Sequence, residues 1–81
     1  MPQLQLIRGR FSKAEALDLI TQMVHVKIRY HEDKIRKTEN EEDIKMRESR
    51  IKQLQKDLYE LRKQISENGN TISLTSQIEI V

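Results

Sequence analysis

Apolar residues follow three rhythms along this chain, and each rhythm predicts a different kind of element. Leu4 and Leu6 alternate with Gln3 and Gln5 before Gly9 interrupts, which predicts a short strand over about 4–7. The segment Phe11-Ser12-Lys13-Ala14-Glu15-Ala16 then changes the period. The Ser12 hydroxyl can accept from the Glu15 amide while the Glu15 carboxylate reaches back to Ser12, and Phe11 and Ala16 occupy the hydrophobic-staple positions, so a helix should start here. From Lys13 to about Lys37 no glycine or proline intervenes. Leu17, Ile20, Val24, Ile28, His31 and Ile35 recur at spacings of three and four, and a second stripe of Ala16, Leu19, Met23, Val26 and Tyr30 runs beside the first. The apolar arc is wider than one neighbouring helix covers.

Asn40 is a good N-cap, and Glu41, Glu42 and Asp43 after it suit the positive end of a helix, so a second helix is predicted over about 41–67. Its seam is narrow and heptad-like: Ile44, Ile51, Leu54, Leu58, Leu61 and Ile65, with Arg47 as the polar member. A single continuous helix would put Ile35 and Ile44 on opposite sides at about 3.6 residues per turn. A break near 38–40 lets both seams face each other in an antiparallel hairpin. Ser66 to Asn70 closes the second helix, with Gly69 suited to the left-handed conformation common at helix ends. Strict alternation returns from Thr71 to Val81, with Ile72, Leu74, Ile78 and Ile80 on one face, predicting a half-buried strand longer than the first. The fold class that results is mainly α: a coiled-coil-like antiparallel helical hairpin in one domain. Its terminal strands pair within the chain or across a dimer.

At 81 residues such a domain has a small stability margin, and with no cysteine and two histidines it lacks the disulfide or zinc staples common at this size. Well-packed helices or self-association must compensate. Basic and acidic residues are interleaved, leaving a net charge of +2, and pairs such as Glu32/Arg36, Asp33/Lys37, Glu41/Lys45, Asp43/Arg47 and Glu48/Lys52 have helical ion-pair spacing. No run of about 18 apolar residues predicts a membrane span, and the first residues lack the pattern of a secretory signal. A cytoplasmic location is the expectation.

Catalytic chemistry finds little to use. His25 and His31 are six positions apart, on different helical faces, and no thiolate could complete a zinc site, so no metal or cofactor is expected. Glu32 and Asp33 diverge as adjacent helical residues, no nucleophile has a base at a recognisable spacing, and no glycine-rich phosphate loop is present. An enzyme is not expected. Basic side chains near the hairpin tip and on the strand approach, Arg8, Arg10, Lys13, Arg36 and Lys37, are the candidate phosphate contacts. Glu32, Asp33, Glu39, Glu41, Glu42 and Asp43 dilute the field that nucleic-acid binding needs.

The order of one strand and two helices resembles the ribbon–helix–helix DNA-binding fold in order alone, since both helices here run to about 25 residues and the last strand has no counterpart. The phrase from Leu6 to Ile35, with its Phe11-Ser12 entry, its Glu15-Ala16 pair and its Lys27-Ile28-x-x-His31 segment, resembles a group of small uncharacterised bacterial proteins. That resemblance implies no activity.

The surplus stripe on the first helix therefore leads to a non-catalytic structural or protein-interaction module, a homodimer or other homo-oligomer. Leu19, Met23, Val26 and Tyr30 of that helix, with Ile72, Leu74, Ile78 and Ile80 of the last strand, are the expected self-association residues. The alternative is a nucleic-acid-binding accessory protein that uses the basic residues of the tip and first strand.

Overall fold

At Ser12 the chain passes from strand to helix with no linker, because the capping box forms: the Glu15 amide donates to Ser12 Oγ at 3.2 Å and the Ser12 amide donates to Glu15 Oε1 at 3.1 Å. The computed structural model describes residues 2–81. It contains strand β1 (Gln3–Ser12), helix α1 (Lys13–Lys37), helix α2 (Glu41–Glu67) and strand β2 (Thr71–Glu79).

The phase break near Thr38 is realised as a turn. Thr38 is extended, its Oγ1 accepts from the Asn40 amide at 3.2 Å, and Asn40 Oδ1 in turn accepts from the Asp43 amide at 3.0 Å, capping α2. The two helices form an antiparallel hairpin. Its open end is tied where Lys13 Nζ donates to the Ser66 carbonyl oxygen at 3.0 Å. The polar members of the two seams meet across it, with Arg47 Nη1 3.1 Å from His31 Nδ1. Of the expected ion pairs, Arg47 holds Asp43 at 3.3 Å, whereas Asp33 pairs with Arg36 one residue nearer than Lys37. At the far end of α2, Asn68 leaves the helix in an extended conformation and Gly69 stays out of the left-handed region, so the expected left-handed closure does not form.

β1 is longer than its alternation indicates. It runs through Gly9, and the terminal strands are nearly equal in length. The physical reason is pairing: β2 offers a continuous antiparallel mate from Thr71 to Glu79, in register Gln3 with Glu79 to Ser12 with Thr71. Gly9 takes φ +154°, a backbone region open to glycine, and so the strand continues through it. A bulge between Gln5 and Ile7 shifts the register, with Leu6 the extra residue. This corrects the simple Leu4–Leu6 alternation. Leu4, Ile7 and Phe11 share one face with their opposite residues Ile78, Ser76 and Ile72.

Only Ala16, Leu58 and Ile65 are buried among the described residues. The molecule is a flat slab of 46 × 34 × 14 Å. Stable domains enclose their core between two packed layers. With so few buried residues this slab encloses little core of its own.

Candidate interaction surface

The second stripe of α1 is open to solvent along much of its length, and Leu6 at the β1 bulge borders it. Leu6 and Ile7 share a shallow depression with Leu19, Met23 and Val26. Met23 and Val26 line the next depression with Lys27 and Tyr30, and Tyr30 leads into a third with His31, Met46 and Arg47. The depressions thus run on from the ribbon across α1 to α2, mainly apolar at the ribbon end and mixed with Lys27, Arg47, Arg50 and Asp57 at the α2 end. The ribbon borders the stripe without covering it: Val26 remains 64% exposed and Leu6 47%. Met23 and Tyr30 are also open to solvent, and Leu19 is half-buried.

Burial along the ribbon is graded. Phe11, Ile72 and Leu74, near the helices, are half-buried, whereas Leu4, Ile78 and Ile80 at the free end are exposed. The eight expected self-association residues therefore fall into two groups. Ile72 and Leu74 take part in the packing of the ribbon base, and Met23, Val26, Tyr30, Ile78 and Ile80 stand open with Leu19 beside them.

One polar cluster borders the face. The Arg47 guanidinium carbon lies 5.8 Å from the Tyr30 ring centre, Lys34 Nζ lies 5.7 Å from the same ring, and the Tyr30 and His31 rings meet edge to face at 5.6 Å. Desolvation holds His31 below its ordinary pKa, aided by the cations Arg47, Lys27 and Arg50. The neutral ring can then accept from Arg47. This pairing gives the hairpin a polar register mark between otherwise apolar seams. His25 is exposed on another side, and the two histidines do not converge. No cluster of metal-ligating side chains occurs among the described residues.

The candidate phosphate contacts are not brought together. Lys13 serves the open end of the hairpin, Arg36 is paired with Asp33 near the tip, and the length of α1, roughly 35 Å at about 1.5 Å per residue, lies between them. Arg8 and Arg10 are exposed on the ribbon and Lys37 at the end of α1. Among the described residues no helix is long and apolar enough to cross a membrane.

Leu6 and Met46 belong to the face and escape the periodicity. Leu6 reaches it only through the bulge, which depends on long-range pairing. Met46 sits off the α2 seam, with only its exposed apolar character as a signal. Comparison with protein-family models, curated proteins and solved structures returns no match.

Proposed function

We propose that this chain is a non-catalytic structural and interaction module whose immediate partner is a second copy of itself, joined through the face that carries Leu19, Met23, Val26 and Tyr30. The surface area carries the reading. A folded monomer of 9.7 kDa is expected to expose about 5,100 Å², and this chain exposes 6612 Å². The excess of about 1,500 Å² exceeds the ~800 Å² per partner of a standard interface and falls within the range of obligate homodimers. The radius of gyration, 15.3 Å where about 12 Å is expected for this length, has the same origin in the slab shape. A second copy on the apolar face supplies the missing cover.

Introducing a charge on that face is the test. In Met23→Glu and Val26→Glu, a carboxylate buried against a mate is intolerable, while on a solvent-exposed surface it is nearly neutral. Light scattering should show each variant at single-chain mass, or unfolded, under conditions where the native chain is a dimer. Native mass and melting temperature in both variants would refute the proposed face. The nucleic-acid alternative needs Arg8, Arg10, Lys13, Arg36 and Lys37 to act in concert. A salt-steep affinity for mixed DNA or RNA would revive it.

A further inference from the structure

The two outer edges of the ribbon differ in kind. Edge strands invite pairing with another chain, and proteins blunt them with proline, charge, bulges or short length. The β1 edge has such devices: Pro2 just ahead of it, the bulge at Leu6, and the cations Arg8 and Arg10. β2 runs Thr71-Ile72-Ser73-Leu74-Thr75-Ser76-Gln77-Ile78-Glu79 with no proline, no lysine or arginine, and one charge at its end. Its composition is that of an interior strand.

The register of the ribbon tells which backbone groups on β2 are free. The Ile80 amide donates to the Pro2 carbonyl oxygen at 3.2 Å, so Ile80 points its backbone groups at β1. In an antiparallel ladder this direction alternates along the strand. Ile78, Ser76, Leu74 and Ile72 therefore also face β1, and Thr71, Ser73, Thr75, Gln77 and Glu79 direct N–H and C=O outward. All five side chains are exposed.

We propose that two chains join edge to edge through β2, antiparallel about a two-fold axis at Thr75, into a four-stranded sheet. This rests on the self-association proposed above and adds an edge contact to it. Among two-fold registers, the one centred on Thr75 is the one that engages all five outward residues: Thr71 with the partner's Glu79, Ser73 with the partner's Gln77, and Thr75 with the partner's Thr75. Like charges do not oppose each other, and a Thr–Thr pair is among the favourable cross-strand pairs. The same register places Ile72 beside the partner's Ile78 on the apolar face. It also explains the graded burial. Antiparallel pairing sets Ile78, at the exposed free end of one ribbon, beside Ile72 at the helix-covered base of the other.

Proline at Thr75 separates this edge from the rest of the account. The Thr75 amide points outward, so Thr75→Pro leaves the intrachain ladder intact and removes a donor only from the proposed interface. The expected result is a folded chain by circular dichroism at single-chain mass, where the native protein has double mass. The chain has no cysteine, which makes a second readout clean. Facing residues of a hydrogen-bonded antiparallel pair lie about 5.5 Å apart at Cα, inside the roughly 4.4–6.8 Å range of disulfides. Thr75→Cys should therefore form an interchain disulfide on mild oxidation, and Arg8→Cys on the β1 edge should not. Should Thr75→Pro fail to fold, the cysteine pair decides. A native dimer that persists in folded Thr75→Pro, or that cross-links through Arg8→Cys and not through Thr75→Cys, overturns the β2 edge and leaves self-association standing. A native chain at single mass throughout overturns both.

Discussion

Truncating Leu58 to alanine probes the hairpin seam at its best-buried side chain on α2 after Ile65. Leu58 is 9% exposed in the middle of the helix, whereas Leu61, three residues on, is 41% exposed. Buried leucine-to-alanine changes cost about 2–5 kcal/mol, less where the surroundings can close in. Leu58 borders a shallow depression with His25, Ile28, Gln55, Tyr59 and Arg62, whose long side chains can settle into the vacated space. The lower part of the range, about 2–3 kcal/mol, is therefore expected. In a domain of this size each kcal/mol moves the melting temperature by about 4–8 °C, so Leu58→Ala should melt at least about 8 °C lower. Leu61→Ala should lie within about 1 kcal/mol of native. Urea and thermal unfolding at one fixed chain concentration measure both, since association adds a concentration-dependent contribution. Equal losses in the two variants would refute the assignment of Leu58 to the seam.

Asn40→Ala removes the acceptor that caps α2 and should cost about 1 kcal/mol in urea unfolding. Stability should also depend on pH through His31: its folded pKa is lowered, so the unfolded chain binds the proton first and stability falls as pH drops below the ordinary histidine value. Above that value the contribution is fully present; His31→Gln should flatten the slope in unfolding measured from pH 8 to pH 5. Spin labels at Ile28 and Ile51 should report helix backbones within about 10 Å in a hairpin, against roughly 35 Å along one unbroken helix.

Local chemistry made most of the fold legible. The Ser12 and Asn40 caps mark where both helices start, and the seam from Leu17 to Ile35 carries α1 to its end region. The disagreement of phase across Thr38 locates the turn. What periodicity missed depends on partners distant in sequence. β1 extends through Gly9 because β2 pairs with it, and the bulge that turns Leu6 toward Met23 leaves no mark in the alternation of Leu4 and Leu6. The same holds for the polar seam positions. His31 and Arg47 stand out individually, but their pairing becomes visible only when the hairpin register is known. The wide stripe of α1 was legible, and the ribbon's failure to cover Val26 was not.

Sedimentation equilibrium of the native chain, run from micromolar to near-millimolar concentration, tests most directly whether one chain is the whole molecule. Twice the 9.7 kDa chain mass over that range, with dissociation only on dilution, is the expected result. A mass of 9.7 kDa at every concentration would contradict it, because the face from Leu6 to Met46 would then stay in water without a mate.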